Sequence, residues 1–334
     1  KPDREKNTVA LPELRKGKIG LVVATQIARY VEPDSELPGY NSPEIAWGIT
    51  QAQLAWYRAM EDAGEMVQVT NRDQLSNHVD LWLKENHAPV IPNERSEVRD
   101  LAADAAKPIG YILSLEGADS LVNLDYLQKA YGYGLRACGP AHYGPGRYAP
   151  GTGMSGGLTS KGRELVKEMD KLRMILDVTH LTDEGFSEAL SIFKGPVWAS
   201  HHNCRSLVNY QRQLTDDQVK ILIERGAVIG GVLDTWMLVP GWKTGVDTSE
   251  ARDVTLERLI DNYDHICQLA GNTDHIAIGS DLDGAYGKEQ SPRDIDTIAD
   301  LQKLQGMLAA RGYSHEDIEK VFYKNWLRFL QKNL

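Results

Sequence analysis

The sequence predicts an α/β fold: a (β/α)8 TIM-like barrel of the metal-dependent hydrolase type. Two observations predict it. Apolar strand-like runs alternate with helical patterns along most of the chain, which indicates a parallel sheet. Four of those runs end in a metal-ligand residue type: Ile109–Glu116 (IGYILSLE), Met174–His180 (MILDVTH), Val197–His202 (VWASHH) and Ile276–Asp281 (IAIGSD). A parallel barrel gathers its strand ends on one rim, where barrel enzymes carry their chemistry.

Seven runs read as strands: Ile19–Thr25, Ile109–Leu115, Leu135–Cys138, Met174–Thr179, Val197–Ser200, Ala227–Leu233 and Ile276–Gly279. Helix signals lie between them. Ser42-Pro43-Glu44 supplies a cap and a first-turn proline for a helix that stops before Gly64. Thr215 and Gln218 form a capping-box pair, and Gly226 closes that helix. Ser314 opens a long amphipathic run to Leu330. Val67–Thr70 is apolar but short, and is not counted as a barrel strand. Seven strands do not close an eight-stranded barrel, so the first strand is expected to be missing from this chain, upstream of Lys1, unless one has been overlooked. No repeat or linker interrupts the sequence, and 1–334 reads as a single catalytic domain. The Gly- and Pro-rich stretch 139–157 is a long rim loop of the kind that shapes a substrate pocket.

The net charge of −10 argues against a nucleic-acid partner or an anionic membrane surface, both of which reward basic patches. No apolar run is long enough to span a bilayer. Cys138, Cys204 and Cys267 are too few and too scattered for a disulfide framework. Cys204, close after His201 and His202, reads as a packed thiol rather than a ligand. No secretory signal is visible, and the polar start KPDREKNTVALPEL reads like the middle of a loop. The cytoplasm is favoured, with a periplasmic or secreted location left open.

Glu116 stands at a strand end, where its two oxygens suit one or two cations; the alternative is a capping or salt-bridged carboxylate. His180 ends LDVT, and imidazole suits zinc; the alternative is a hydrogen-bonded core histidine. His201 and His202 are adjacent, so in a strand they point to opposite faces and at most one reaches the barrel mouth. Asp281 is costly to bury without a partner and is read as functional, whereas Asp283, before Gly284, is read as a turn residue. His142 in the rim loop is a candidate to polarise a carbonyl, the alternative being a surface loop histidine; Arg212 is a candidate to clamp a carboxylate bidentately, the alternative being an ordinary solvated arginine. Asp234 ends a strand and receives no role. His78, His87, His265, His275 and His315 read as surface or helix residues, and Trp236 and Trp242 as pocket walls or packing.

In their order and spacing, SLEG at 114–117, LDVTH at 176–180, SHHNCRS at 200–206 and GSDLDG at 279–284 resemble the membrane dipeptidase (renal dipeptidase-like) family of zinc hydrolases. LPELRKGKIG and QRQLTDD are similar to further segments of that family, and the resemblance runs from about Leu11 to Leu330. It implies a barrel with two zinc ions, a dipeptide substrate and a homodimer. Glu116 matches the bridging carboxylate, and His180 and His201 the remaining protein ligands of one zinc. His142 and Arg212 match substrate-binding residues, and Asp281 a catalytic or amine-binding aspartate. The implied reaction is hydrolysis of a dipeptide amide bond by a metal-bound hydroxide. Action on lactams or other small amides, and an inactive metal- or peptide-binding relative, are the alternatives. His202 departs from the small polar residue usual at its position. The family's first strand carries a His-x-Asp pair for the other zinc; no such pair precedes Ile19 here, and no histidine precedes His78.

Overall fold

The computed structural model describes residues 7–83 and 107–334. It contains the strands β1 (Leu21–Gln26), β2 (Met66–Gln68), β3 (Ile109–Glu116), β4 (Leu135–Gly139), β5 (Ile175–Asp177), β6 (Val197–Trp198), β7 (Ile229–Gly231) and β8 (Ile276–Ile278). Every ladder between them is parallel. One sheet runs β1-β3-β4-β5-β6 and a second pairs β7 with β8. A bridge between Ala199 and Ile229 links the two, so the strands follow one another in the order β1-β3-β4-β5-β6-β7-β8. Seven of the eight residues of β3 are buried. Parallel strands covered on both faces need such continuous apolar runs, which is why they were legible in the sequence.

One expectation is corrected. Met66–Gln68 is a strand, paired with Ile109–Tyr111 of β3. It is short because β3 is shared. β1 takes one edge of β3 over Gly110–Leu115, which leaves the other edge to β2 at its start and β4 at its end. Buried Met66 and Val69, with hydrogen bonds from Ile109 N to the Glu65 carbonyl and from Val69 N to the Tyr111 carbonyl, hold β2 there. A long-range pairing, invisible to a local pattern, decides this element.

β2 therefore does not fill the position between β8 and β1. Among the described residues no strand pairs there. The carbonyls of Ile276 and Ile278 in β8 accept hydrogen bonds from Asn325 Nδ2 (2.9 Å) and Trp326 Nε1 (3.0 Å), so side chains of the last helix cover part of that strand.

The capping signals hold. Ser42 Oγ accepts from the backbone N–H groups of Glu44 and Ile45 at the start of Pro43–Asp62, and Thr215 and Gln218 cap Asp216–Glu224 reciprocally. The run after Ser314 is helical as His315–Glu319 and Asn325–Asn333, with a wider π turn over Lys320–Lys324 between them.

On the inner face of these strands, Ile112, Ala137, Ile175, Trp198, Val228 and Ala277 pack with Phe329 into one apolar layer. Side chains alternate along a strand. Ser114 and Glu116 therefore share the inner face with Ile112, and Asp177 shares it with Ile175. The layer thus sets which residues look into the barrel mouth. Gly230 and Gly279 face one another beside it. A Cβ on either would meet the Ser200 carbonyl oxygen at about 2 Å, so only glycine lets these strand ends approach.

Candidate metal centre and substrate pocket

Glu116, His180 and His201 converge at the rim. His180 Nε2 lies 3.1 Å and His201 Nε2 3.3 Å from the same oxygen, Glu116 Oε1. One ligand atom from each of the three lies within 4.8 Å of the others. The two imidazoles are buried and the Glu116 side chain is 20% exposed. Two neutral nitrogens and one carboxylate, with room left beside them, form the donor set of a catalytic zinc site that keeps a position open. The residues present therefore fit a zinc ion.

Local chain geometry aims each ligand. Glu116 is the last residue of β3. His180 takes a left-handed backbone conformation, with φ of 69°. That conformation is rare for a residue with a side chain and is held only where the surroundings enforce it. Here Thr152 Oγ1 lies 2.9 Å from His180 Nδ1. β6 ends at Trp198, and past it the chain turns His201 inward, with Ser200 Oγ 2.9 Å from His201 Nδ1. Asp177 Oδ1 accepts from the backbone N–H groups of Thr179 (3.0 Å) and Ser200 (3.2 Å), tying the ends of β5 and β6 together.

The electrostatics follow from packing. Burial works to raise the Glu116 pKa, but the hydrogen bonds and charges of His180 and His201 outweigh it and hold the carboxyl well below its usual range. Burial, helped by the nearby Arg212 charge, depresses His180 well below an ordinary imidazole. Burial also opposes the charged form of His201, yet Asp281 and Glu116 together raise its pKa. Burial lifts the Asp281 carboxyl to about 6 and lowers His142 to about 4.

The remaining expected residues gather on one cavity of about 1340 Å³, which His142, Arg212 and Asp281 line together with the three metal-ligand candidates. The cavity continues between β1 and β8, past Val23 and Trp326. The His142 ring stands 4.6 Å from that of His180. Its Nδ1 is 3.3 Å from Arg29 Nη2. A guanidinium only donates, so Nδ1 accepts and the neutral ring carries its proton on Nε2. Arg212 is 4% exposed. Its Nη2 donates to the His201 carbonyl at 2.9 Å, and Nη1 lies 3.1 Å from His202 Nδ1. Its Nε is buried with no hydrogen-bond partner among the described residues. Thus His201 enters the site while His202 turns away against Arg212, as adjacency required.

Several readings change in detail. Asp283 does adopt the turn conformation, with φ of 63°, and it also accepts from Thr8 N, Thr8 Oγ1 and Val9 N. Cys204 is a packed thiol whose Sγ faces the Asn262 carbonyl, not the cation site. Of the two readings open for His78, surface or helix, the helix holds: it is a buried residue of Arg72–Leu83, within 2.6 Å of the Gly20 carbonyl oxygen. His87 lies outside the described residues. Asp234, given no role from sequence, is a buried cavity residue. Each of its oxygens accepts one hydrogen bond at 2.7 Å, from Trp236 Nε1 and from Gln290 Nε2. Burial raises its pKa to about 7. Thr152 and Tyr143 were also missed, and the only signal for them was their place in the rim loop 139–157.

Comparison with known proteins agrees with this geometry. The sequence model of the membrane dipeptidase family, peptidase family M19, matches residues 3–333. An uncharacterised protein from the pqqA 5′ region of Klebsiella pneumoniae is 30% identical over 215 residues, 61% of this chain and 74% of that protein. Dipeptidase tcpJ of Claviceps purpurea is 30% identical over 179 residues, 53% of this chain and 38% of tcpJ. Dipeptidase verJ of Clonostachys rogersoniana is 28% identical over 227 residues, 66% of this chain and 55% of verJ. The chain thus spans about half, or less, of the length of these two dipeptidases. Among solved structures, a metallopeptidase from Rhodobacter sphaeroides, liganded with a phosphinate mimic of the dipeptide L-Ala-D-Ala, superposes with a TM-score of 0.75 at 24% identity. That match covers 99% of this chain and 91% of the other. The probable dipeptidase PvdM from Pseudomonas aeruginosa superposes with a TM-score of 0.77 at 18% identity, over 99% and 91% of the two chains. These likenesses show the fold.

Proposed function

This chain belongs to the membrane dipeptidase family, peptidase family M19, and from that premise we propose that it is a zinc-dependent dipeptidase. The observation that carries the proposal is the convergence of Glu116, His180 and His201 on one point of a cavity that also holds Asp281 and a buried arginine. When bound, zinc supplies a water acidified to near neutrality and a Lewis acid for the scissile carbonyl. Glu116, His180 and His201 would hold it.

The other residues handle the dipeptide. Arg212 is a buried cation that forms no ion pair among the described residues, and a charge in that position is costly until an anion arrives. The free carboxylate of a dipeptide is such an anion, and its planar geometry matches a guanidinium. A longer peptide would carry an amide there instead. His142, with Nδ1 accepting from Arg29, presents Nε2–H to the carbonyl oxygen as charge develops on it. Asp281, whose carboxyl is raised to about 6 by burial, carries a proton to the leaving amine or holds the free amine of the substrate. All of these residues belong to one catalytic domain.

Dipeptide hydrolysis followed by ninhydrin or mass spectrometry, with the metal content read by elemental analysis on the same sample, tests the proposal. Activity that disappears with chelator and returns with zinc is expected. A zinc-loaded protein inert toward a dipeptide panel would reject it. The count of zinc ions per chain answers whether one or two are bound, because the described residues offer one cluster of ligands.

A further inference from the structure

We propose that Thr152 and Ser200 are positioning residues, which hold the metal-site imidazoles by Nδ1 and, being hydroxyls, serve the site both with and without its cation. The inference rests on the zinc-site reading above. A metal-binding histidine needs a partner for its second ring nitrogen, and carboxylates or backbone carbonyls usually provide it. Those groups only accept, so they fix the proton on Nδ1. Here both partners are hydroxyls: Thr152 Oγ1 at 2.9 Å from His180 Nδ1 and Ser200 Oγ at 2.9 Å from His201 Nδ1. A hydroxyl donates or accepts by rotating about its C–O bond.

That freedom matters at His180. His180 Nε2 lies 3.1 Å from Glu116 Oε1, so in cation-free protein that carboxylate is the hydrogen-bond partner within its reach. The carboxylate can only accept, so the neutral ring carries its proton on Nε2, and Nδ1 accepts from Thr152. With a cation, Nε2 must present its lone pair. The proton then sits on Nδ1 and Thr152 becomes the acceptor. One proton leaves Nε2 and one arrives at Nδ1, so the ring remains neutral in both states. Neither state leaves a buried ring nitrogen without a partner, which an acceptor-only group would do in the empty site.

Both hydroxyls are themselves fixed from behind. The Thr152 N–H donates to the His142 carbonyl, and the Thr152 carbonyl accepts from Gly144 N. The rim loop bearing His142 is thereby tied to a metal ligand. Ser200 Oγ lies 3.1 Å from Thr179 Oγ1, and Asp177 holds the backbone N–H groups of both residues.

The test measures zinc affinity by competition with a chromophoric chelator, independently of turnover. Thr152→Val keeps the shape and removes the hydroxyl, and a roughly 10- to 100-fold weaker zinc dissociation constant is expected. Ser200→Ala should weaken zinc over the same range, and Thr152→Ser should restore affinity to near wild type. The zinc-free Val variant also lacks the donor to the buried His180 Nδ1, so a modest fall in its melting temperature is expected; zinc affinity is therefore measured well below that temperature, on folded protein, which separates positioning from folding. Nitrogen-15 spectra of the histidine rings should place the His180 proton on Nε2 without zinc and on Nδ1 with it. A Val variant within about twofold of wild type, a Ser variant as weak as Val, or a proton on the same nitrogen in both states would overturn the inference. A wild-type protein that takes up no zinc would instead remove the metal reading beneath it.

Discussion

Arg212 Nη2 donates a hydrogen bond to the backbone carbonyl of His201 at 2.9 Å. The cation expected to read the substrate's carboxylate is thereby fixed to the backbone of a metal ligand. Recognition and chemistry share one rigid piece of chain, so a substrate clamped by Arg212 is registered against the cation to within a hydrogen bond's tolerance. This is the pre-organisation that converts binding into rate.

Arg212→Ala should raise KM for dipeptides far more than it lowers kcat at saturation. A charged hydrogen-bond pair is worth about 1.5–3 kcal/mol, and burial adds to that, so the rise should be about 10- to 1000-fold. Dipeptides amidated at the C-terminus should suffer a similar loss on the wild-type protein. Steady-state kinetics on both substrates checks this, and an unchanged KM would reject the clamp.

Asp281→Asn removes the proton carrier while preserving size. A drop in kcat of about 10²- to 10⁴-fold is expected, the usual range for general acid–base groups. Zinc content should remain, since Asp281 is not among the three converging ligands. Loss of activity accompanied by loss of zinc would reassign Asp281 to the metal.

Asp234 makes stability depend on pH. Burial raises its folded-state pKa to about 7, well above that of an ordinary aspartate. A carboxyl raised on folding binds its proton more tightly in the native state. Its contribution is therefore full below pH ~4 and is lost as pH climbs toward ~7. Asp234→Asn does not titrate. Relative to wild type, and with metal removed by chelator, the variant should gain about 2–4 kcal/mol of unfolding free energy between pH 5 and pH 8. Chemical denaturation at both pH values measures it, and a difference that does not change with pH would contradict the assignment.

Gly279→Ala should destabilise the fold by about 2–4 kcal/mol, because the added methyl would meet the Ser200 carbonyl oxygen at 2.0 Å. Serine or alanine at Gly226, where nothing lies near the would-be Cβ, should cost about 1 kcal/mol from its positive φ alone. Thermal melts of the two variants compare a close approach with a simple turn.

Much of this was legible before any coordinates. The buried strands read as apolar runs because both of their faces are covered, and Glu116, His180 and His201 stood out because each ends such a run or follows it closely. What was not legible depends on contacts between distant segments. The three residues of β2 become a strand only because β3 offers them part of an edge. Thr152 gains meaning only when the rim loop folds back onto His180, 28 positions away. Asp234 is read only with Gln290, 56 positions on. His78 reads as a surface or helix residue; it is helical, and its burial escapes the sequence because the helical pattern does not reveal that Gly20 and Gly110 close over it.

The most direct test of the proposed metal centre is an anomalous diffraction map of the crystallised protein, recorded at the zinc edge. The expected result is a peak about 2.0–2.2 Å from Glu116 Oε1, His180 Nε2 and His201 Nε2. Zinc bound elsewhere, or a map with no peak among those three atoms after soaking, would contradict it.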